Sequence, residues 1–146
     1  MSQGNKKFGT ALNCMDGRAV EATIAWMKKA YALDFVDNIT EPGMDALLGK
    51  MTGDERAYLK KKLGISINNH GSRVVAVVGH DDCAGNPVSK DEHATCIAHD
   101  IDTVKTIVAE ITSEPVEVIG LWIFPDATDA HLWGVERISV SKCVLG

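Results

Sequence analysis

The chain has 146 residues and a formal net charge of −5 at pH 7, with 45% hydrophobic and 24% charged residues. This length is enough for one domain with a substantial buried core. The acidic balance argues against nucleic acid as a partner, and no apolar run approaches the roughly 18 residues that span a bilayer. The opening stretch, MSQGNKKFGT, lacks the apolar segment of a secretory signal, so we expect a cytoplasmic protein with no membrane partner.

The first half of the chain predicts two strands and two helices. Residues 8–13, FGTALN, are short and mostly apolar, which indicates a buried strand. The helix that follows is expected to bury one face, formed by Val20, Ile24, Met27 and Tyr31. Residues 33–36 predict a second strand, and residues 37–45 predict a loop because they contain a Pro-Gly pair. Thr52 and Glu55 have the spacing of a capping box, so a second helix is expected from there to about Leu63.

The second half predicts a central strand, a long helix and two further strands. The valine-rich run 73–79 is typical of a strand covered on both faces, as in a parallel sheet. Ser89 and Glu92 form another capping box, and the helix that they open carries a long apolar stripe. Residues 116–124 predict a fourth buried strand, and residues 131–140 an edge strand. We therefore expect one α/β domain over residues 1–146, a mostly parallel sheet of about four to five strands flanked by helices, with residues 1–7 flexible.

Two polar segments follow predicted strands and together indicate a metal site. Cys14 lies just past the first strand, and His80 and Cys83 lie just past the valine-rich one. In a parallel sheet, ligands collect beyond the carboxyl ends of the strands, so these side chains converge if the two strands are neighbours. Two thiolates and a neutral histidine balance the charge of Zn²⁺ and leave a fourth position open. In the cytosol, cysteines are more often ligands or core residues than disulfides.

Asp16 and Arg18 lie two and four residues after Cys14 and are candidate catalytic residues. Asp16 has the position to accept a hydrogen bond from a zinc-bound hydroxide. Arg18 has the reach to hold Asp16 by a forked, charge-assisted bond and keep it ionised. The alternative is an ordinary ion pair near the end of a strand.

At these residues the chain resembles the β-class carbonic anhydrases, which carry Cys-x-Asp-x-Arg after the first strand and His-x-x-Cys after a later one. The matching residues are Cys14-Met15-Asp16-Gly17-Arg18 and Gly79-His80-Asp81-Asp82-Cys83. The resemblance covers most of residues 8–135 and implies a β-carbonic anhydrase-like fold and a homodimer or larger assembly. It also implies that zinc-bound hydroxide attacks CO₂ to give bicarbonate. In some family members the aspartate takes the fourth metal position, so Asp16 is either an orienting group or an inhibitory ligand.

The chain departs from the family pattern at the predicted substrate pocket. The family has an Arg-Asn-Ala-Gly stretch after its second strand, whereas this chain has Asp37-Asn38-Ile39-Thr40, in which only Asn38 matches. Where the family has Gly-Ala after the last ligand, this chain has Ala84 and Gly85. The predicted pocket residues are Asn38, Gly79, Ala84 and Gly85. Related proteins hydrolyse carbonyl sulfide or carbon disulfide, which gives an alternative substrate class. A non-catalytic zinc-binding protein is a third hypothesis.

Several other polar residues have less specific patterns. His93, Cys96 and His99 recur every three residues and spread over about 300° of a helix, so they cannot share one narrow face. We therefore expect surface histidines beside a half-buried cysteine. A second metal cluster is the alternative. Asp81 and Asp82 are expected to be solvated loop carboxylates, with support of the metal ligands or proton transfer as the alternative. His131 is expected in an exposed turn, with proton transfer as the alternative.

Overall fold

The computed structural model describes residues 6–139, so the flexibility predicted for residues 1–5 lies outside the described part of the chain. Within that part, five strands form one sheet in the order β2-β1-β3-β4-β5. The strands are β1 (Phe8–Asn13), β2 (Phe35–Thr40), β3 (Val74–His80), β4 (Glu117–Pro125) and β5 (Trp133–Ile138). The first four run parallel, and β5 pairs antiparallel with β4 at one edge. The predicted mostly parallel α/β fold and its edge strand are confirmed.

The helices cover both faces of the sheet. They are α1 (Gly17–Tyr31), α2 (Met44–Leu48), α3 (Gly53–Gly64), which continues into a π-helical turn (Ile65–Asn69), and α4 (Lys90–Ile111). Helix α1 packs on one face, whereas α2, α3 and α4 contribute to the larger apolar cluster on the other. Because both faces are covered, all seven residues of β3 are buried, as its unbroken apolar sequence predicts. No helix among residues 6–139 has the length and apolarity needed to cross a membrane.

The chain changes direction across the sheet between β1 and β3. After β1 it crosses through α1 to β2 on one side, and then returns past β1 to place β3 on the other side. Strands β1 and β3 pair directly, with Thr10, Ala11 and Leu12 opposite Val75, Ala76 and Val77. The loops that leave the carboxyl ends of two such strands diverge to opposite sides, which opens a crevice between them. This crevice is where the sequence predicts the metal ligands.

The prediction of a loop over residues 37–45 is correct only for residues 41–43, because residues 37–40 belong to β2 and residues 44 and 45 begin α2. Strand β2 extends to Thr40 because it pairs with β1 along its whole length. The Asp37 carboxylate accepts hydrogen bonds from Ser66 Oγ at 2.7 Å and His70 Nδ1 at 2.6 Å. The chain-breaking effect of Pro42 and Gly43 is therefore confined to the short connection between β2 and α2.

Two local predictions in the helices are also corrected. The buried face of α1 is Ala19, Thr23 and Met27, whereas Val20, Ile24 and Tyr31 are only half-buried. Thr23 is fully buried because its hydroxyl accepts a hydrogen bond at 3.0 Å from Asn13 Nδ2, a pairing that hydropathy does not register.

Thr52 precedes α3 as predicted but makes no capping hydrogen bond from its side chain. Gly53 has a φ of +53°, so the chain leaves Thr52 in a direction that does not bring its hydroxyl to the helix amides. The second capping box, between Ser89 and Glu92, is confirmed at the start of α4.

Helix α4 buries the predicted apolar stripe and, unexpectedly, a carboxyl group. Ile97, Ile101, Val104 and Val108 are buried as predicted. Asp100 is only 1% exposed, and its Oδ2 atom has no hydrogen-bond partner. Burial, with a smaller contribution from the nearby Asp45 carboxylate, raises the pKa of Asp100 to about 8.

This raised pKa predicts a pH-dependent loss of stability. Below the unfolded-state pKa of 3.8, Asp100 is protonated in both states and has no effect. Between that pH and about 8, the unfolded chain releases a proton that the folded chain keeps, so folding becomes less favourable as the pH rises. Relative to Asp100→Asn, we expect the wild-type free energy of unfolding to fall by about 2 kcal/mol or more between mildly acidic and mildly alkaline pH. Urea unfolding of both proteins measures this difference, and parallel stability profiles would contradict it.

Candidate metal centre

The structure brings Cys14, His80 and Cys83 together at the crevice between β1 and β3. Cys14 follows the last residue of β1, and His80 is the last residue of β3 rather than the first of the loop. Their ligand atoms and that of Cys83 all lie within 4.8 Å of one another, and all three residues are buried. Within residues 6–139, no other group of histidines, cysteines and carboxylates meets the same geometric criterion.

The backbone after β3 turns sharply and thereby aims two ligands at one point. The pairing of β3 with β4 continues one step further, where the Asp81 N–H donates to the Ile123 carbonyl at 2.9 Å. Asp82 then adopts a left-handed conformation with a φ of +56°, which aspartate tolerates better than most residues. This reversal returns the chain so that His80 and Cys83 approach the Cys14 sulfur from the neighbouring strand.

The His80 ring is oriented as a metal ligand requires. Its Nδ1 lies 2.7 Å from the Asp81 carbonyl oxygen. Because a carbonyl only accepts, Nδ1 carries the proton, and Nε2 is left with a lone pair. Nε2 is buried without a hydrogen-bond partner, which is costly unless another group satisfies it. A metal ion bound at Nε2, with Nδ1–H held by a carbonyl, is the usual arrangement for a ligating histidine.

The two sulfurs have the separation expected for ligands of one ion. Cys14 and Cys83 are free thiols whose Sγ atoms lie 4.0 Å apart, far beyond disulfide bonding distance. Tetrahedral ligands with metal–sulfur bonds of ~2.3 Å place their sulfurs about 3.8 Å apart. Burial raises the pKa of Cys83, and the Cys14 thiol raises it further, so a nearby cation would favour the Cys83 thiolate. The donor set therefore fits a thiophilic divalent ion with a fourth position left open.

Asp16 and Arg18 form a forked ion pair beside this group. Arg18 Nη2 and Nε donate to the Asp16 carboxylate at 2.7 and 3.0 Å. Asp16 also caps helix α1 by accepting from the Arg18 backbone N–H at 2.9 Å. The hydrogen bonds from the Arg18 side chain lower the pKa of Asp16 to about 2 although partial burial opposes them, so the carboxylate is ionised at neutral pH.

Arg18 also contacts two residues whose role the sequence did not indicate. Its Nη1 lies 3.3 Å from the Asp82 carboxylate, and its Nη2 donates to the Asp82 carbonyl at 3.3 Å. Its guanidinium also lies over the Trp133 ring, 4.8 Å from the centroid. Asp82 is mostly exposed, as predicted for a loop carboxylate, but it is paired rather than only solvated. Arg18 thus connects the two segments that supply the ligands, a contact between positions 64 residues apart.

A cavity of about 610 Å³ opens on the Asp16 side of the site. Its walls include the ion pair Asp16–Arg18, together with Leu132 and Trp133 at the start of the edge strand. His131 is exposed, as predicted, and also lines this cavity. The cavity therefore offers a small molecule a route to the carboxylate that lies two residues from Cys14.

The predicted pocket residues occupy different surroundings. Asn38 lies in β2 and lines a separate cavity of about 430 Å³. Gly79 is buried in β3, where an added Cβ would lie 2.9 Å from Asp45 Oδ2. Ala84 is exposed, and Gly85 is close enough to Gly43 that neither tolerates a side chain. Their role in binding a substrate stays a prediction.

The expectation of surface histidines on α4 is wrong for His93 and correct for His99. His93 is 1% exposed, and its Nδ1 forms a very short contact with Asp45 Oδ2, which is also buried. Asn86 joins this pair by donating to Asp45 Oδ1 at 3.2 Å. Cys96 is half-buried, as expected. Sequence reasoning missed this network because Asp45 lies 48 residues from His93, in a segment interpreted as a loop.

Comparisons with known proteins show the family of the chain and similar folds. The family model described as "Putative carbonic anhydrase" matches residues 4–138. The chain is similar to the β-carbonic anhydrase CafA of Aspergillus fumigatus, with a TM-score of 0.54, 10% identity, and coverage of 92% of this chain and 76% of that one. It is also similar to β-carbonic anhydrase isoform I of Trichomonas vaginalis, with a TM-score of 0.51, 16% identity, and coverage of 92% and 84%. No curated protein matches the chain significantly.

Removal of one sulfur tests the metal centre. After incubation with zinc and gel filtration, we expect the wild-type chain to retain one ion, and Cys83→Ala to retain none, because only two of its three donors remain. Cys96→Ala is the matched control, since it removes a half-buried thiol outside the group and should keep the ion. Elemental analysis gives the stoichiometry. Full zinc retention by Cys83→Ala would refute the assignment.

Proposed function

The chain belongs to the carbonic anhydrase family that it matches over residues 4–138, and on that basis we propose that it catalyses the reversible hydration of CO₂ to bicarbonate. The observation that carries the proposal is the convergence of Cys14, His80 and Cys83, with their ligand atoms within 4.8 Å of one another. An ionised aspartate held by an arginine lies beside them, at the end of an open cavity. This combination of donors, acceptor and access is what the reaction requires.

The proposed cofactor is Zn²⁺, held by Cys14, His80 and Cys83. Two thiolates neutralise its charge, and the Asp81 carbonyl fixes the His80 ring so that Nε2 faces the ion. When bound, the ion supplies a nucleophile derived from water near neutral pH. The protein's own contribution is to leave one coordination position free and to surround it with groups that orient the reactants.

In this proposal Asp16 accepts a hydrogen bond from the nucleophile and aligns it with CO₂. Its low pKa keeps it an acceptor throughout the neutral range, and Arg18 restricts its movement. The forked pair also supports the orienting role over the inhibitory one. To reach the fourth metal position, the Asp16 carboxylate would have to release the hydrogen bonds from Arg18 Nη2 and Nε.

The surroundings of the site support access by a small uncharged molecule. The connection before α2 packs against the turn that follows Cys83, through Gly43 and Gly85, and the cavity opens next to Asp16. Leu132 and Trp133 give that side apolar surface. A cytoplasmic location and a homo-oligomeric assembly are part of the proposal, from the sequence and the family respectively.

Asp16→Asn separates metal binding from turnover. The substitution keeps the size of the side chain but removes the charge, so we expect full zinc retention and a loss of CO₂ hydration of about 100-fold or more. Asp102→Asn, which makes the same change at an exposed carboxylate of α4 that does not line this cavity, is the control and should keep wild-type activity. Stopped-flow kinetics and elemental analysis give the two readouts. Unchanged turnover in Asp16→Asn would contradict the assigned role.

The substrate is tested on the zinc-loaded wild-type protein. We expect CO₂ hydration above the buffer rate across near-neutral and alkaline pH, with little or no hydrolysis of carbonyl sulfide or carbon disulfide. Activity on the sulfur compounds alone would transfer the proposal to that hydrolase activity. Full zinc occupancy without activity on any of the three would favour a non-catalytic zinc protein.

A further inference from the structure

The turn that carries the last predicted ligand is held against the opposite loop by backbone contact. A Cβ on Gly85 would lie 2.6 Å from the Pro42 carbonyl carbon, so the two segments touch through their main chains. Gly43 adopts a φ of +58°, which favours glycine at that position. The loop before α2 therefore forms a support for the turn that begins at Cys83.

A buried polar network extends this contact into the core. The Asp45 carboxylate follows Gly43 and is 2% exposed. It accepts hydrogen bonds from His93 Nδ1, from Asn86 Nδ2 at 3.2 Å, and from the Ala46 backbone N–H at 3.1 Å. A carboxylate accepts only, so the His93 proton resides on Nδ1. The network links α2, the turn after Cys83 and the first half of α4.

Asn86 connects this network to the metal centre. It lies three residues after Cys83, is itself 7% exposed, and has its side chain anchored on Asp45. The backbone N–H groups of Asn86 and Gly85 donate hydrogen bonds to the Cys83 sulfur. Backbone donors of this kind stabilise a thiolate ligand only if the turn holds them in place.

We propose that Asp45, His93 and Asn86 form a clamp that fixes the turn after Cys83 and so sets the affinity of the metal centre. The three residues are positioning residues, because they act on the ion through Cys83 and do not touch it. This inference rests on the proposed metal function, since it assigns to the network a role toward that ion.

The location of the network argues for this role over simple stabilisation of the core. A buried ionic or polar pair is often no more stabilising than apolar residues of similar volume, so stability alone gives little reason for it. Here the pair contacts the turn after Cys83 in two ways, through the hydrogen bond from Asn86 to Asp45 and through the Gly43–Gly85 contact that lies next to Asp45 in the chain. Gly79, next to His80, also lies directly beneath it, since a Cβ added there would lie 3.3 Å from His93 Nδ1.

The test compares Asn86→Ala and Asp45→Asn with Asp100→Asn. Asn86→Ala removes the side-chain anchor but keeps the backbone N–H, and Asp45→Asn keeps the shape of the carboxylate without its charge. Asp100→Asn is the matched control, because it alters a buried carboxyl on the same helix as His93 that does not bond to the turn. The readouts are the Kd for zinc by competition with a chromophoric chelator, the sulfur-to-metal charge-transfer band with Co²⁺, and the Tm of the metal-free protein.

We expect Asn86→Ala and Asp45→Asn each to raise the zinc Kd by roughly 10-fold or more and to change the charge-transfer band, while Asp100→Asn leaves both unchanged. A lower Tm of the metal-free variants with unchanged Kd and band would show a purely structural role and overturn the clamp. If Asn86→Ala does not fold, Asp45→Asn still decides the question. Wild-type protein that binds no zinc would overturn the metal centre itself, and the clamp with it.

Discussion

The site depends on one topological constraint, which is the reversal of strand order between β1 and β3. Because the sheet continues from β1 to β2 on one side and to β3 on the other, the connections diverge and leave a crevice above two paired strands. Cys14 and His80 lie at the carboxyl ends of these strands, so their positions are fixed by the hydrogen bonds of the sheet. Only Cys83 depends on a turn, and for that reason the contacts of the turn matter most for the geometry of the site.

Charge balance links the rest of the site to that crevice. The buried Cys83 thiol resists ionisation, and an imidazole nitrogen without a partner resists burial, so the site favours a cation. Next to them, Arg18 keeps Asp16 ionised and bonds to Asp82 in the second motif. The same arginine thus sets the charge of the carboxylate and connects the segments that bring the ligands. A change at Arg18 would therefore affect both electrostatics and geometry.

Two of the incorrect predictions share a physical cause. Thr23 in α1 was left out of the buried face and His93 in α4 was assigned to the surface, although both are buried. Each is satisfied by a partner in another element, Thr23 by Asn13 and His93 by Asp45. Hydropathy measures the cost of burying a polar group alone, whereas a hydrogen-bonded partner removes most of that cost. Periodicity therefore identified apolar elements well and misplaced polar ones.

By itself, the sequence determined the alternation of strands and helices, the buried central strand and the two motifs that identify the family. These features are local, because they depend on side-chain period, on capping residues and on spacings of a few positions. The tertiary structure alone decided that β1 and β3 are neighbours, that Arg18 reaches Asp82, and that Asp45 pairs with His93 beneath the ligand turn. Such contacts join residues dozens of positions apart. The local sequence pattern is compatible with many arrangements of the strands and helices, and packing of the whole sheet against its helices selects one of them.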